Sequence, residues 1–98
     1  MRAQSMWGDN YFPLSILHMK DSYVAEIAWR DGKLYFACRP ASDLQFSCED
    51  NAVEVGTVED APQHDTRLLE SATADSLYIL SGHRTFVSRT RGQSWEEF

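Results

Sequence analysis

The dipeptide Asp31-Gly32 separates two segments whose apolar residues alternate as they do in β-strands. Residues 23–29 precede it and residues 34–38 follow it. A two-residue hairpin turn of type I′ needs a positive φ at both central residues, and Asp-Gly is one of the pairs that most often supply it. The sequence therefore predicts an antiparallel β-hairpin centred on Asp31-Gly32.

Strand-like segments continue on both sides of this hairpin. They are residues 14–19, 44–48, 53–55, 76–81, 85–89 and 94–98, with Gly82-His83 joining two of them. Residues 66–71 fit either a strand or one helical turn. Because no long segment repeats its apolar residues at helical spacing, we predict a mainly β domain built from antiparallel hairpins.

One domain accounts for all 98 residues, since a chain of this size buries enough surface for a single core. We expect residues 1–10 to be flexible and residues 56–65 to form a loop, because the second stretch loses strand periodicity and contains Ala61-Pro62-Gln63-His64. Residues 32–37 resemble residues 75–80 at an offset of 43, close to the length of a four-stranded propeller blade. Two blade-like sheets packed together would explain this offset, and so would chance similarity.

Cys38 and Cys48 are the two cysteines. If their segments paired as a tight hairpin centred near Ala41, Cys38 would face Leu44 and Cys48 would face Leu34, which puts a disulfide out of reach. A slipped register would restore it, so both outcomes stay open, with free, mostly buried thiols favoured. Neither Cys-x-x-Cys nor closely spaced histidines occur, and we predict no metal site and no cofactor.

Composition and short motifs argue against several classes of function. With 9 Lys+Arg against 15 Asp+Glu the net charge is −6, which disfavours a nucleic-acid binder. The longest apolar cluster, residues 12–17, is interrupted by Pro13 and Ser15 and is too short to span a membrane. Residues 1–10 lack a signal-peptide pattern, so a cytoplasmic location is the default and a periplasmic one would require a removed leader. The sequence has no nucleophile elbow and no phosphate-binding glycine loop, and we expect no enzymatic activity.

Residues 88–95 read Ser-Arg-Thr-Arg-Gly-Gln-Ser-Trp and resemble the Asp-box of sialidase-type (BNR) β-propeller repeats, Ser-x-Asp-x-Gly-x-Thr-Trp. Ser88, Gly92 and Trp95 match, Ser94 replaces the threonine, and Thr90 takes the place of the aspartate. The resemblance implies a hairpin loop that serves folding and carries no chemistry. A complete propeller needs at least four blades and this chain has room for about two, so association into an oligomer would be one way to complete it.

The chain is also similar to small β-rich immunity proteins of bacterial type VI secretion systems, which neutralise phospholipase toxins. The similarity lies in the compact β-rich chain and in the terminal Ser-x-x-x-Gly-x-(Thr/Ser)-aromatic hairpin. It implies an inhibitor of another protein and transfers no contact residue.

Negative charge is concentrated in the middle of the chain. Residues 43–75 hold nine acidic residues and only Arg67 as a cation. They form either solvated loops and strand faces or an acidic surface that attracts a basic protein partner. For the second case the predicted contacts are Asp43, Glu49, Asp50, Glu59 and Asp60, with aromatic anchors at Trp7 and Tyr11, and at Phe12 if it is exposed.

The sequence thus favours a non-catalytic protein-binding module, an immunity or inhibitor protein that occludes a partner enzyme or toxin through an acidic, aromatic-bearing β surface. The alternative is a carbohydrate- or surface-binding module derived from an Asp-box propeller, with Trp7 or Trp29 as its aromatic platform.

Overall fold

The computed structural model describes residues 6–59, 66–73 and 75–98, which form two four-stranded antiparallel sheets packed together. The N-terminal sheet contains, in spatial order, β1 (Phe12–His18), β2 (Tyr23–Arg30), β3 (Lys33–Pro40) and β4 (Val53–Thr57). The C-terminal sheet contains β5 (Thr66–Glu70), β6 (Leu77–Ser81), β7 (Arg84–Ser88) and β8 (Glu96–Glu97). A short 3₁₀ turn, Glu49–Asn51, precedes β4. The mainly β, antiparallel fold with two packed sheets is confirmed.

The hairpin predicted at Asp31-Gly32 is confirmed. Arg30 and Lys33 pair directly across a two-residue loop. Asp31 and Gly32 have φ angles of 48° and 86°, the positive values that a type I′ turn needs. The second tight hairpin joins β6 to β7 through Gly82-His83, again at the predicted place.

Residues 44–48, predicted as a strand, belong to the irregular connection between β3 and β4, and that prediction is wrong. β4 occupies the free edge of β3, so the segment has no strand to pair with there. At its start the carboxylate of Asp43 accepts the N–H of Gln45 at 3.1 Å, and a side-chain bond of this kind competes with a sheet ladder. We call residues 41–52 the connection.

Both thiols are free, as favoured from the sequence. Cys38 packs at the margin of the core between the two sheets, whereas Cys48 is fully buried in a second cluster on the other face of the N-terminal sheet. The hairpin centred near Ala41 is not formed. Because the sheet lies between the two sulfur atoms, a disulfide is geometrically excluded.

Several predicted boundaries are redefined by the structure. Thr66–Glu70 is a strand and not a helical turn. β4 extends to Thr57, into the segment predicted as a loop from residue 56, while residues 60–65 lie outside the described part. Of residues 1–10, which were expected to be flexible, residues 1–5 lie outside the described part of the chain. Trp7 is only 1% exposed.

The core between the sheets contains two equivalent cross-strand pairs. In the N-terminal sheet Ile27 of β2 lies opposite Phe36 of β3, and in the C-terminal sheet Ile79 of β6 lies opposite Phe86 of β7. All four side chains are buried and belong to one continuous cluster. Each sheet therefore supplies the same kind of apolar surface to the other, from its second and third strands.

Each of these phenylalanines packs on a glycine of the other sheet. A Cβ on Gly56, in β4, would lie 2.6 Å from Cε1 of Phe86, which is closer than carbon atoms can approach. A Cβ on Gly92, in the loop between β7 and β8, would overlap the ring of Phe36. Trp95 completes the second contact, with its ring centroid 5.2 Å from that of Phe36. The two sheets are thus joined by reciprocal phenylalanine-on-glycine contacts.

The loop of residues 88–95 is held by its own hydroxyl groups. Ser88 Oγ accepts the N–H of Gly92 at 2.8 Å, and Thr90 Oγ1 accepts the N–H of Ser94 at 2.9 Å. Trp95 Nε1 donates to the carbonyl of Gly92 at 3.0 Å. The hydroxyl oxygen of Thr90 therefore accepts a hydrogen bond at the position where the Asp-box pattern has a carboxylate. Together these bonds hold the loop so that Gly92 lies against the ring of Phe36.

The sequence similarity at an offset of 43 does not relate equivalent parts of the two sheets. It matches residues 32–37, mostly in β3, with residues 75–80, mostly in β6, and these strands are third and second in their sheets. The structure matches the β2–β3 hairpin with the β6–β7 hairpin instead. In that alignment Gly32 corresponds to Gly82 and Phe36 to Phe86, both pairs 50 residues apart.

The outer face of the N-terminal sheet is covered by the chain itself. Trp7 packs on the small side chains of Ala28 and Ala37, and Cys48 of the connection joins the same cluster. The carbonyl of Met6 accepts the N–H of Cys48 at 2.8 Å and that of Glu49 at 3.2 Å. The N-terminal segment and the connection are therefore fastened to each other as well as to the sheet.

The first prediction concerns the Phe36–Gly92 contact. Gly92 and Gly82 both have positive φ, 92° and 61°, but a Cβ on Gly82 would meet nothing within 4 Å. Gly82→Ala should cost about 1 kcal/mol from backbone strain alone. Gly92→Ala should cost roughly 3 kcal/mol, because it also displaces Phe36 and overpacks the core. Urea denaturation measures both free energies of unfolding, and equal losses would contradict the contact.

Candidate functional site

The acidic residues predicted as partner contacts fall in two places. Asp43, Glu49 and Asp50 lie together on the connection. Glu59 follows β4 at the opposite end of β3, where its Cα lies 3.8 Å from the position of a Cβ on Gly32. Since β3 has eight residues, about 25 Å of strand separates that end from the start of the connection. Asp60 lies outside the described residues.

In the part of the chain that the structure describes, the carboxylates of the connection form no ion pair. The ion pairs found within the described residues are Arg30–Asp31, Lys33–Glu54, Arg39–Glu26, Arg84–Glu97, Arg89–Glu96 and Arg91–Asp21. None of these six pairs includes a carboxylate of the connection. Glu97, by contrast, has a cationic partner: its hydrogen bond from Arg84 lowers the pKa of the Glu97 carboxyl. The negative charges of Asp43, Glu49 and Asp50 are therefore not neutralised by any of these pairs.

Glu49 is placed by a glycine of the N-terminal segment. Gly8 has a φ of 76°, and a Cβ there would lie 2.6 Å from Glu49 Oε1. Glycine suits this backbone conformation, and a larger residue would push the end of the Glu49 side chain aside. The carboxylate of Glu49 rests against the Gly8 backbone while the residue as a whole is exposed.

A groove of about 290 Å³ runs between the N-terminal segment and the connection. Its surface is mostly polar, and its lining residues are Met6, Gly8, Leu44, Gln45, Phe46, Ser47 and Glu49. Leu44 is 76% exposed, so an apolar side chain stands in solvent beside the carboxylates. The prediction of a strand at residues 44–48 missed this role, although the preceding Pro-Ala-Ser-Asp at residues 40–43 is typical of a turn.

Of the three aromatic anchors proposed from the sequence, Trp7 is buried, Tyr11 is half-buried and Phe12 is exposed. Trp7 is 1% exposed and cannot reach a partner. Tyr11 is half-buried, with its ring 5.2 Å from that of Trp7 and its hydroxyl accepting a bond from Arg30 at 3.2 Å. Phe12 was proposed as an anchor on the condition that it is exposed, and its exposed fraction is 54%. Trp29, the other platform of the carbohydrate alternative, is half-buried and donates its indole N–H to the carbonyl of Val58 at 2.7 Å.

A buried ion pair lies beneath the connection. Arg39 Nε is 3.1 Å from Glu26 Oε2, and the same oxygen accepts the thiol of Cys48 at 3.7 Å. Burial, and then the neighbouring Glu26 carboxylate, raise the pKa of Cys48 to about 12. A thiol in this state is a weak nucleophile, so the cluster holds the connection on the sheet and offers no reactive sulfur.

Comparison with protein-family models, with curated proteins and with solved structures found no match for this chain. Within residues 6–59, 66–73 and 75–98, no three metal-binding side chains converge on one point. The same residues contain no helix that is long and apolar enough to span a membrane. The groove beside Glu49 combines an exposed apolar side chain, Leu44, with a charged one.

The second prediction concerns pH. The Cys48 thiol has a folded pKa of about 12 against an ordinary value of 9.0, so above pH 9 the unfolded chain releases this proton first. The contribution of the protonated Cys48 thiol to the stability of the folded state is complete below pH 9 and is lost as the pH rises towards 12. Between about pH 8 and pH 10.5, the unfolding free energy in urea should fall more for the wild type than for Cys48→Ala. Identical pH dependence of the two proteins would contradict the buried thiol–carboxylate contact.

Proposed function

We propose that this chain is a protein-binding module, an immunity or inhibitor protein that occludes a partner enzyme or toxin through the connection and the adjoining N-terminal segment. The observation that carries the proposal is the carboxylate of Glu49, which lies against Gly8 beside the exposed Leu44 and forms none of the ion pairs of the described residues. Asp43 and Asp50 add negative charge to the same stretch of chain.

Charge and shape have separate roles in this proposal. Unpaired carboxylates steer the surface towards a basic cleft and raise the association rate. Leu44 then enters the interface, where full burial of a leucine is worth about 1.5–3 kcal/mol. Trp7 packs on the sheet, and the Met6 carbonyl bonds the connection to the same N-terminal segment. Little further ordering of this surface is therefore needed on binding.

The similarity to small β-rich immunity proteins supports the inhibitor form of this function. The buried, protonated thiol of Cys48 also suits a module that acts by occlusion rather than by chemistry. A basic catalytic cleft in the partner would be complementary to the negative charge of the connection.

A second candidate function, binding of a carbohydrate, rests on a different surface. A pocket of about 300 Å³ lies beside Trp95 and is also lined by Arg89 and Glu96. An aromatic ring with planar polar neighbours suits a sugar. Specific retention of a glycan on an array, lost in Arg89→Ala, would favour this function over the first.

The third prediction tests the acidic surface with charge-neutral variants. The test variant carries Asp43→Asn, Glu49→Gln and Asp50→Asn, and the amide oxygen introduced at position 43 can still accept the turn bond from the N–H of Gln45. The control carries Asp31→Asn, Glu59→Gln and Asp75→Asn, which remove the same charge elsewhere. Proteins captured from extracts of the source cells by the wild type are identified, produced separately and titrated against all three.

We expect a partner whose affinity for the test variant is about ten-fold weaker, and whose affinity for the control is close to that of the wild type. Binding to the wild type should weaken as salt is added, and the partner's own activity should fall when it is bound. A captured set in which every protein binds the test variant as tightly as the wild type would contradict the proposal.

A further inference from the structure

Relative to their tight turns, the two sheets contact each other through opposite faces. Counted from its turn, Ile27–Phe36 is the fourth cross-strand pair of the β2–β3 hairpin, whereas Ile79–Phe86 is the third pair of the β6–β7 hairpin. Both pairs point into the shared core, and successive pairs of a hairpin point to opposite faces. The outer face of the C-terminal sheet therefore corresponds to the face with which the N-terminal sheet packs on its neighbour.

The outer face of the C-terminal sheet carries four apolar side chains. Leu69, Tyr78 and Val87 lie side by side on β5, β6 and β7, and Leu80 lies two residues beyond Tyr78 on β6. None of the four belongs to either apolar cluster of the described residues. Leu69 is 43% exposed, and Tyr78 and Leu80 are half-buried. Because the corresponding face of the N-terminal sheet is covered by a sheet, a sheet is the kind of layer that this face suits.

The two ends of this stack of sheets differ in what covers them. On the N-terminal sheet, Trp7 and Cys48 pack over the outer face, so that face is not open to a sheet of another molecule. A second copy of the chain therefore offers one open sheet face, which is the outer face of its own C-terminal sheet. Association through identical faces closes after two copies, whereas a head-to-tail array would need both outer faces.

Charge also distinguishes the two outer sides of the molecule. The outer face of the C-terminal sheet carries both signs, with Arg67 on β5 and the Arg89–Glu96 ion pair at the other side of the sheet. The three carboxylates of the connection form none of the ion pairs of the described residues. Two connections brought together would repel each other, so charge favours the C-terminal sheet as the surface for self-association.

We propose that two copies of this chain associate through the outer faces of their C-terminal sheets, with Leu69, Tyr78 and Leu80 of each copy in the contact. The product is a symmetric dimer with four stacked sheets and with one connection at each end. This goes beyond the proposed function and does not depend on it, because both connections stay open to a partner. Val87 and Glu96 line the pocket beside Trp95 and lie on the same face, so the dimer would exclude a sugar there.

The size of the face sets the strength of the dimer. Three strands of five residues, β5, β6 and β7, cover roughly 15 Å by 17 Å, a footprint of about 250 Å². This is small beside the roughly 800 Å² of accessible surface that each partner buries in a standard interface. We therefore expect a weak dimer, with a dissociation constant of about 0.1–1 mM.

Sedimentation equilibrium of the full chain, from about 10 μM to about 1 mM, measures this assembly. We expect the mass of one chain at the lowest concentration and, at the highest, half or more of the chains in dimers. In NMR spectra over the same range, the amide signals that move should be those of β5, β6 and β7 and not those of residues 41–52. A mass of one chain throughout, or a mass that grows beyond two chains, would overturn the proposal.

Two exposed leucines provide a matched pair of variants. Leu69→Lys places a charge within the proposed contact, whereas Leu44→Lys places the same charge on the connection, where Leu44 is 76% exposed. We expect Leu69→Lys to weaken the dimer about ten-fold or more, and Leu44→Lys to leave its dissociation constant within about two-fold of the wild type. Unchanged amide signals of β2 show that each variant keeps its fold. A dimer that tolerates Leu69→Lys, or one that is lost in Leu44→Lys, would place the contact elsewhere and contradict the proposal.

Discussion

The structure depends on the reciprocal contact between Phe36 and Gly92 and between Phe86 and Gly56. Each glycine lies where any side chain would collide with the ring from the other sheet. Two four-stranded sheets with five- to eight-residue principal strands have little core of their own, and a sheet of this size is stabilised when a second layer covers one face. The close approach that the glycines permit lets the two layers share one core.

The candidate site lies on the outer face of the N-terminal sheet, opposite the shared core. Ile27 and Phe36 face the C-terminal sheet, while their neighbours Ala28 and Ala37 face outward and receive Trp7. Because successive residues of a strand point to opposite faces, the strands that form the shared core also form the seat of the N-terminal segment. That segment in turn holds the connection through Met6. Disturbing the core should therefore loosen the groove, even though no core residue lines it.

The sequence was informative wherever a short-range rule decides the structure. Asp31-Gly32 predicted its turn because positive φ is a local demand, and the alternation of residues 23–29 predicted β2. It failed at residues 44–48, where the same alternation occurs but no neighbouring strand edge is free. The burial of Trp7 and the role of Gly8 were also missed, because both depend on contacts about 20 to 40 residues away in the chain.

The central claim is that neither sheet is stable without the other. Native-state hydrogen exchange on the wild type and on Phe86→Leu tests it most directly, because it reports the opening free energy of each strand. If the sheets share one core, the slowest amides of β3 and β6 open with the same free energy. The substitution should then lower both by the same amount, about 1–2 kcal/mol. A loss confined to the C-terminal sheet, with β3 unchanged, would show that the sheets are separate units and would contradict the account.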